Sequence, residues 1–479
     1  MNLDRNTFFI GNQWVAPSSS RRFEIIGAST GEVIATVPEA VEADVDAAVA
    51  AARRAFDDGG WSNAAPAERA AVMQRFIAAI AQRAESLAQA VSMQNGMPIS
   101  LSSLLEAQFP MGVLGYFAEL AATMGQPDHR PSQMGKETLV HHNPIGVVAA
   151  IVPWNFPVTL AISKIAPAML AGCTLVIKPS PGTVLDSYIL AEAALEAGVP
   201  AGVLNWVPAD RDAGAYLVSH PGVDKVAFTG STNAGRSIAA TCGQLLRPVT
   251  LELGGKSAAI VLDDADLNVF LQGVPTACML NNGQACFNGT RILAPVSRYG
   301  EVVDALAAMV SGLTIGDALD PATHVGPMAS EAHRARVESY IAIGKQEARL
   351  VAGGGRPRGF NHGWFVEPTI FADVDNHDTI AQEEIFGPVL SVIAYRDDAD
   401  AIRIANDSAF GLGGSVWSAD SARAQQVAQQ VQTGTIGING YMPSLGSPFG
   451  GIKASGMGTE FGPEALSSYQ RTKSIYVMG

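Results

Sequence analysis

Short apolar runs alternate with longer helical stretches through the middle of the chain. Brief runs of this kind are typical of strands buried on both faces, and the stretches between them carry a helical period. The alternation predicts a parallel sheet with helices on both faces, which binds ligands at the carboxyl ends of its strands. The predicted strands are Ile145–Val152, Thr174–Ile177, Val203–Val207, Val223–Phe228 and Val249–Leu253, and the predicted helices are Val158–Leu170, Leu185–Ala197, Ala213–Ser219 and Asn233–Gly243.

Both flanks of this region carry further elements. A second alternating region begins near residue 252 and ends near 445, with strands predicted at Ser391–Tyr395 and Gly434–Asn439. Near the start of the chain, Phe8–Val15 and Arg22–Ile26 predict one small antiparallel ribbon. Helices are predicted at Val45–Asp57, Ala67–Asn95 and Leu101–Gln126.

Two further segments show no helical period. Pro127–His142 is polar, and the tail Tyr469–Gly479 ends with a weak alternation that resembles a strand. Isolated strand-like pieces that are distant in sequence often pair into an additional sheet. We expect these two to do so, either within the chain or between subunits.

Composition narrows the class of protein. A chain of 479 residues with 48% hydrophobic and 16% charged residues is expected to form two or three compact domains. The formal net charge of −14 disfavours nucleic acids and anionic membranes as partners. The longest apolar tract, Ile145–Ile177, contains prolines and a lysine, so it predicts a buried core and not a membrane span. The four cysteines are scattered and fit neither a disulfide framework nor a metal site, which indicates a reducing compartment, the cytoplasm.

One cysteine lies in an unusual setting. Cys286 sits in the Gly- and Asn-rich stretch Asn281–Arg291, about thirty residues after Leu251–Lys256. A thiolate is a strong nucleophile, and N–H groups around it can lower its pKa and bind a developing oxyanion. A buried packing role is the alternative for a lone cysteine. Cys173, Cys242 and Cys278 match no such pattern and are interpreted as small core residues.

The signals for a dinucleotide are incomplete. No G-x-G-x-x-G follows a strand, and a P-loop interpretation of Gly255–Ser257 fails because Thr250 occupies the place of its first glycine. Phe228–Thr232 follows a strand and begins a helix, so its N–H groups could meet a pyrophosphate, or could form an ordinary helix cap. Lys178, at a strand end, could bind a ribose or a phosphate, or could simply be solvated.

Seven motifs nevertheless occur in one order over essentially the whole chain, and together they resemble the aldehyde dehydrogenase superfamily, in its non-acylating, NAD(P)-dependent branch. The resemblance implies an α/β fold with a parallel, doubly wound, Rossmann-like cofactor domain, an α/β catalytic domain and a small β oligomerisation arm. The motifs are Pro153–Pro157, Lys178–Ser180, Phe228–Thr232, Leu251–Lys256, Gly283–Cys286, Glu384–Val389 and Ser447–Gly451.

The resemblance also implies a mechanism. Cys286 would attack an aldehyde to give a thiohemiacetal, with the oxyanion held by the Asn155 side-chain amide and the Cys286 backbone N–H. Hydride transfer to the nicotinamide would leave a thioester on Cys286, and Glu252 would activate the water that hydrolyses it. An apolar strand end would bury Glu252 and raise its pKa; a surface or salt-bridge carboxylate is the alternative.

The same resemblance assigns the cofactor residues. Lys178 would contact the adenosine ribose, Gly230 and Ser231 the pyrophosphate, and Glu384 the nicotinamide ribose beside Phe386. The full implied set is Ile151, Trp154, Lys178, Ser180, Pro181, Phe228, Thr229, Gly230, Ser231, Leu253, Gly254, Glu384 and Phe386. No metal is expected.

One position departs from the family pattern. NAD-preferring members commonly carry a glutamate three residues after the lysine that matches Lys178, where it binds the ribose hydroxyls and repels the extra phosphate of NADP. This chain has Pro181 there. Because no Arg or Lys flanks Ser180–Thr183, NAD is the expected cofactor, with NADP as a possible second one.

The substrate region is apolar. Residues matching the family's substrate tunnel are mostly apolar or aromatic, and no cluster of Arg or Lys would hold a carboxylate. The expected substrate is therefore an uncharged, hydrophobic aldehyde, although many of these residues could be ordinary helix core. The expected substrate residues are Phe109, Met111, Leu114, Phe117, Phe287, Tyr441 and Phe449.

The expected organisation follows the family. The cofactor domain would comprise 1–126 and 144–251, the catalytic domain 252–446, and the arm and tail 127–143 and 447–479. A homo-oligomer is implied, a dimer or a tetramer. Two rival functions remain: a CoA-acylating aldehyde dehydrogenase, which has no need of Glu252 as a base, and a cofactor-independent thiol hydrolase, which has no need of Lys178 or Glu384.

Overall fold

The structure is a computed structural model that describes residues 3–478. The strands are β1 (Phe8–Ile10), β2 (Gln13–Val15), β3 (Arg22–Ile26), β4 (Val33–Pro38), β5 (Asp128–Pro131), β6 (Glu137–Pro144), β7 (Val147–Ile151), β8 (Thr174–Lys178), β9 (Leu204–Trp206), β10 (Lys225–Thr229), β11 (Val249–Glu252), β12 (Ala258–Val261), β13 (Arg291–Pro295), β14 (Arg349–Ala352), β15 (Thr369–Ala372), β16 (Val389–Tyr395), β17 (Phe410–Gly411), β18 (Gly414–Trp417), β19 (Gly437–Ile438), β20 (Ile452–Lys453), β21 (Gly456–Met457) and β22 (Gln470–Val477).

The helices are α1 (Glu42–Asp57), α2 (Pro66–Ala81), α3 (Ala84–Asn95), α4 (Ile99–Ser102), α5 (Phe109–Leu120), α6 (Pro157–Ala171), α7 (Leu185–Glu196), α8 (Arg211–Ser219), α9 (Thr232–Gln244), α10 (Leu267–Ala277), α11 (Tyr299–Ser311), α12 (Glu331–Glu347), α13 (Thr379–Gln382), α14 (Asp398–Asn406), α15 (Ser421–Ala428) and α16 (Gly462–Ser467). Three short 3₁₀ turns lie at Trp61–Asn63, Ala121–Thr123 and Val296–Arg298, and a π-helical segment lies at Ser103–Gln108.

The predicted parallel sheet is confirmed. Strands β7 to β11 form its centre in the order β9-β8-β7-β10-β11, and all four of these neighbouring pairs are parallel. Strand order reverses between β7 and β10, because β8 and β9 lie on one side of β7 while β10 and β11 lie on the other. A crevice at the carboxyl ends of the strands is expected at such a reversal, and the functional residues lie there.

Residues of β7 alternate between two apolar clusters, one on each face of the sheet. Val148 and Ala150 pack into the cluster under α2, α5, α6 and α7, whereas Val147 and Ala149 pack into the cluster under α1 and α8. Helices therefore cover both faces. This arrangement explains why β7 is apolar throughout and shows no alternation of apolar and polar residues.

Two predicted helices are interrupted. The helix predicted over Ala67–Asn95 is two helices, α2 and α3, and the chain changes direction at Gln82–Arg83. Neither Gly nor Pro marks that break, so packing of α2 against α5 and α6 and of α3 against α7 decides it. The helix predicted over Leu101–Gln126 contains the π segment and then Pro110, which has no N–H to donate.

The prediction of one ribbon near the start of the chain was wrong. Phe8–Val15 forms a hairpin of its own, β1 and β2, that joins the eight-stranded sheet beside β9. Arg22–Ile26 pairs instead with the unpredicted strand Val33–Pro38. An alternating pattern marks a strand but does not specify its partner.

The second alternating region forms a seven-stranded sheet in the order β14-β15-β16-β13-β12-β18-β19. The strands predicted in it are present as Val389–Tyr395 and the shorter Gly437–Ile438. Apolar clusters line both of its faces. The protein therefore has two separate sheet cores, which is the α/β architecture expected from the pattern.

The polar segment and the tail pair as expected. All eight residues of β22 pair antiparallel with β6, which also pairs with β5, and the β22–β6 pairing forms within the chain. Of the described residues 447–478, Gln470–Val477 join this sheet, whereas Gly456–Met457 pairs with β11 at the edge of the main sheet. Residues 1, 2 and 479, at the ends of the predicted segments, lie outside the described residues. Within 3–478, no helix combines the length and apolarity that crossing a membrane requires.

Candidate active site

A cavity of about 400 Å³ lies at the carboxyl ends of β7, β10 and β11. Each of these strands ends in one of the sequence motifs, and the turn that carries Cys286 reaches the cavity from the second sheet, just before β13. Its lining includes two of the three expected catalytic residues and eight of the expected cofactor residues. The lining residues are Pro153, Trp154, Asn155, Thr229, Gly230, Ser231, Asn233, Leu253, Gly254, Cys286, His333, Arg336, Glu384 and Phe386.

The Cys286 turn is built from residues that tolerate unusual backbone angles. Asn281 and Asn282 have φ of 52° and 59°, and Gly283 has φ of 81°. A side chain at Gly283 would lie 2.1 Å from the backbone of Gly387, so only glycine permits this approach. The Asn- and Gly-rich composition therefore allows the turn that carries Cys286 to pack directly against the segment that carries Glu384 and Gly387.

Cys286 is protonated at rest. Burial raises the pKa of its thiol well above the ordinary value, and the carboxylates of Glu384 and Glu252 raise it further. The sequence predicted N–H groups that would lower this pKa. The Cys286 backbone N–H does lower it, but burial and then the carboxylates outweigh that effect. The thiol must therefore give up its proton to a base before or during attack on a carbonyl.

Asn155 is held by three amide groups. The side-chain Nδ2 of Asn155 donates to the backbone carbonyl of Gln284 at 2.9 Å. The backbone carbonyl of Asn155 accepts from Nδ2 of Asn95 at 3.1 Å and from Nδ2 of Asn281 at 2.9 Å. An amide nitrogen carries two hydrogens, so one donor of Asn155 remains for a ligand beside Cys286. Asn281 belongs to the stretch that the sequence analysis singled out, although its contact with Asn155 was not predicted, and Asn95 lies in no motif.

The carboxyl group of Glu252 is buried, and its oxygens are open to a proton donor. The residue is 2% exposed, and neither carboxylate oxygen has a hydrogen-bond partner within residues 3–478. Burial raises the pKa of Glu252 well above its usual range, and the neighbouring Glu460 carboxylate raises it further. The predicted buried carboxyl is confirmed, and its unused oxygens suit a base that acts near neutral pH.

A buried ion pair lies behind Glu252. Lys164 of α6 binds Glu460, and its ammonium also donates to Oγ1 of Thr229 at 2.6 Å. Oε2 of Glu460 accepts a second hydrogen bond from Ser163 at 2.8 Å. The positive charge of Lys164 opposes the rise in the pKa of Glu252. The sequence analysis missed this pair because its members are 296 residues apart.

A second cavity, of about 430 Å³, adjoins the first. It is lined by Ile151, Lys178 and Phe228 from the expected cofactor set, and it shares Ser231 and Asn233 with the cavity at Cys286. The two cavities therefore form one groove across the ends of the strands. Arg211, the first residue of α8, also lines it and was not predicted.

Lys178 retains donors for a ligand in this groove. Burial lowers the pKa of its ammonium to about 8, while Asp210 opposes that shift. In the described part of the chain its ammonium donates to the carbonyl of Pro179 alone, at 3.2 Å. Ser231 caps α9 by accepting from the N–H of Ala234 at 3.4 Å, so the cap predicted as an alternative is present at the mouth of the groove.

Glu384 faces the same cavity from the opposite wall. Its carboxylate accepts the N–H of Gly255 at 2.9 Å, and burial raises its pKa to about 7. Phe386 follows with φ of 64°, and its ring lies 5.4 Å from that of Trp154, edge to face. These contacts bring three separate motifs to one wall of the groove.

Some predicted residues lie elsewhere. Ser180 and Pro181 are partly exposed in the turn after β8 and line neither cavity. Leu114 and Phe117 are fully buried in the core beneath α5. Their assignment to the cofactor and the substrate stays a prediction.

Aromatic rings pack beside Phe287, the residue directly after Cys286. The Phe287 ring lies 4.9 Å from Tyr441 and 6.4 Å from Phe449, measured between centroids. Phe449 in turn contacts Phe461 at 6.2 Å, and Phe461 contacts Phe109 at 5.9 Å. We call these five residues the aromatic cluster.

A groove of about 370 Å³ adjoins the aromatic cluster, and Tyr441 and Phe449 are part of its lining. No Lys or Arg lies among its lining residues. Met111 is half-buried on α5 and packs against the same core as Phe109. An apolar guest fits this neighbourhood, whereas nothing in the groove lining would pair with a carboxylate.

Comparisons with known proteins agree with this geometry. The profile of the aldehyde dehydrogenase family matches residues 14–475. Geranial dehydrogenase of Castellaniella defragrans is 58% identical over 479 residues, which is the full length of both chains.

Two solved structures are similar as well. An aldehyde dehydrogenase from Mycobacterium tuberculosis complexed with NAD+ superimposes with a TM-score of 0.97 at 47% identity, covering 100% of this chain and 99% of that one. A variant of aldehyde dehydrogenase C from Pseudomonas syringae complexed with NAD+ and octanal superimposes with a TM-score of 0.94 at 38% identity, covering 98% and 96%. The match of the family profile and the full-length identity show that the chain belongs to the aldehyde dehydrogenase family and is an enzyme that oxidises aldehydes.

Proposed function

We propose that the enzyme oxidises an uncharged, apolar aldehyde to its carboxylic acid with NAD, through a covalent intermediate on Cys286. The observation that carries the substrate class is the aromatic cluster around Phe287, directly after the nucleophile, with no cation in the adjoining groove. Two relatives fit this class: one is named geranial dehydrogenase, and the structure of another is complexed with octanal. Both compounds are uncharged, apolar aldehydes.

The residues of the groove fit a dinucleotide. Lys178 offers free donors at one end, the start of α9 offers backbone N–H groups in the middle, and Glu384 offers carboxylate oxygens at the other end. Both solved neighbours contain NAD+. When bound, NAD supplies the hydride acceptor. We assign the remaining expected cofactor residues, Ile151, Trp154, Phe228, Thr229, Gly230, Ser231, Leu253, Gly254 and Phe386, to the walls of this groove.

The chain's own residues carry the covalent steps. The Cys286 sulfur bonds to the aldehyde carbon while its proton passes to a base, and the free amide hydrogen of Asn155 binds the resulting oxyanion. Loss of hydride converts the thiohemiacetal into a thioester. Glu252 then takes a proton from water, which attacks the thioester carbon, and the thiolate leaves as the acid forms.

The substrate class can be tested with a panel of aldehydes. We expect geranial and octanal to exceed succinate semialdehyde in kcat/KM by at least about 100-fold, since a carboxylate would be desolvated without a partner beside the aromatic cluster. Initial rates of NADH formation at saturating NAD measure this ratio. Benzaldehyde serves as a rigid, uncharged control. A higher kcat/KM for the semialdehyde would contradict the proposal.

The cofactor preference can be tested at Pro181. We expect Pro181→Glu to raise the preference for NAD over NADP by about tenfold or more, because a carboxylate there would repel the 2′-phosphate. Arg211 and Lys178 line the groove and are the cations that would otherwise favour NADP. The measurement is kcat/KM for each cofactor with one aldehyde.

Pro181→Gln has nearly the same size as Pro181→Glu but no charge, and it is the matched control. Its ratio of NAD to NADP efficiency should stay within about threefold of the wild-type ratio. An equal rise in both variants would show that loss of the proline ring, and not the charge, changes the preference.

Three further assignments concern the domains, the assembly and the location of the protein. We assign 1–126 and 144–251 to the cofactor domain and 252–446 to the catalytic domain, in line with the two separate sheets. The three-stranded sheet of β5, β6 and β22 is assigned to assembly of a homodimer or homotetramer, since its strands are largely exposed. All four cysteines are free, which supports a cytoplasmic location.

A further inference from the structure

The segment Glu383–Gly387 is held by one face of α12. His333 donates from Nε2 to the carbonyl of Phe386 at 2.6 Å, and Arg336 donates to the carbonyl of Glu384 at 2.9 Å. The Tyr340 hydroxyl binds Oε2 of Glu383 at 2.6 Å. The spacing of 333, 336 and 340 places all three side chains on one helix face. Two of these bonds end on backbone carbonyls, so they set the path of the segment.

That path needs external support. Phe386 has φ of 64°, a region that L residues with bulky side chains seldom occupy. Beyond it, a side chain at Gly387 would lie 2.6 Å from Val337 of α12, and the backbone of Gly387 touches the Cys286 turn at Gly283. The segment therefore packs tightly between α12 and the turn that carries Cys286. His333 binds the carbonyl of Phe386, the residue with the unusual φ.

His333 belongs to the cavity wall as well. Its ring lies 5.0 Å from Trp154 and 5.8 Å from Phe386, and it lines the cavity at Cys286. Burial lowers the pKa of His333 below its ordinary value, so the imidazole is neutral at pH 7. A carbonyl can only accept, which places the proton of the neutral ring on Nε2. The hydrogen bond to Phe386 therefore exists without any ionisation.

We propose that His333 is a positioning residue that holds Phe386 and Glu384 in the conformation that presents both side chains to the cofactor. This inference rests on the proposed function. If the inference holds, His333 affects both the affinity for NADH and the dissociation rate of NADH. It does so indirectly, by holding the backbone of the segment Glu383–Gly387. No sequence motif contains His333, and its partner is 53 residues away.

Two variants separate the hydrogen bond from the packing of the ring. His333→Phe keeps an aromatic ring beside Trp154 but removes the donor, whereas His333→Gln loses the ring and keeps an N–H that can reach the Phe386 carbonyl. The measurements are the Kd of NADH and its dissociation rate in stopped flow. Hydrolysis of p-nitrophenyl acetate, which uses Cys286, Asn155 and Glu252 but no cofactor, serves as the cofactor-independent readout.

We expect His333→Phe to weaken NADH binding about tenfold, mostly through faster dissociation, and His333→Gln to stay within about twofold of the wild type. Ester hydrolysis should fall less than NADH binding in His333→Phe, because the Cys286 turn has its own backbone contacts. Wild-type NADH binding in His333→Phe would overturn the inference, and so would an equal loss of NADH binding and ester hydrolysis in both variants. Absence of NADH binding by the wild-type enzyme would overturn the proposed function together with it.

Discussion

Replacing Cys286 with alanine is expected to abolish aldehyde oxidation, with kcat reduced by at least about 10⁴-fold. Without the sulfur no thiohemiacetal forms. The aldehyde carbon therefore does not become tetrahedral, and it cannot release a hydride. The remaining donors at Asn155 can polarise a carbonyl but cannot supply the missing bond. Formation of NADH, followed by absorbance over the aldehyde panel, measures the loss.

The same variant should fold normally. Cys286 is half-buried in a turn whose shape is set by Asn281, Asn282 and Gly283, so removal of one sulfur leaves the backbone contacts in place. We expect the melting temperature to stay within about 2 °C of the wild type and NAD to bind as before. Cys278→Ala is the matched control, since this fully buried cysteine should lose stability and keep turnover. Substantial oxidation by Cys286→Ala would remove the cysteine from the mechanism.

Replacing Glu252 with glutamine is expected to separate the two halves of the reaction. The variant should produce a burst of about one NADH per active site, after which steady turnover falls by about 10²- to 10⁴-fold. Glutamine has the size of glutamate, but it cannot take a proton from water, so the thioester on Cys286 accumulates. Rapid-mixing absorbance gives the burst, and mass spectrometry of the trapped protein identifies the acyl group.

Loss of the Glu252 charge should not slow attack by Cys286 or hydride transfer, which form the first half of the reaction. The Glu252 carboxylate is one of the charges that raise the pKa of Cys286, so its neutralisation lowers that pKa and favours the thiolate. Glu464→Gln is a suitable control, because that carboxylate is exposed and should not affect turnover. Steady turnover near the wild-type rate would contradict the assigned role. Absence of a burst would instead make Glu252 the base that deprotonates Cys286 before hydride transfer.

Glu252 also bears on the rival acylating reaction. A buried base with two unpartnered oxygens suits activation of water and has no task when CoA takes the acyl group. We expect addition of CoA to leave both the rate and the free acid product of the wild-type enzyme unchanged. Formation of acyl-CoA would favour the acylating reaction over hydrolysis.

Much of the fold and the reacting groups could be predicted from the sequence, for a physical reason. Strands buried on both faces must be apolar throughout, so β7, β8, β10 and β11 stand out as runs, and residues just after them must meet at one edge of a parallel sheet. Asn155, Lys178 and Glu252 all follow this rule. Cys286 was recognisable because a thiol among Asn and Gly residues is unsuited to a core.

Other features depended on long-range contacts that leave little trace in the local sequence. The break at Gln82–Arg83 lacks Gly and Pro, and the partner of Arg22–Ile26 is a strand that its own pattern does not identify. The predicted tunnel residues Leu114 and Phe117 share an apolar character with Phe109, but only packing shows which of them is closed off in the core.

The chain's sequence by itself determined the family, the order of its strands and helices, and the groups able to react, because each of these is encoded in residues that lie close together along the chain. The tertiary structure decided how those groups are tuned. Burial and distant charges set the pKa values of Cys286 and Glu252, and His333 of α12 reaches the Phe386 carbonyl across 53 positions. Desolvation and hydrogen bonding depend on which residues are neighbours in space, and spacing along the chain does not record that.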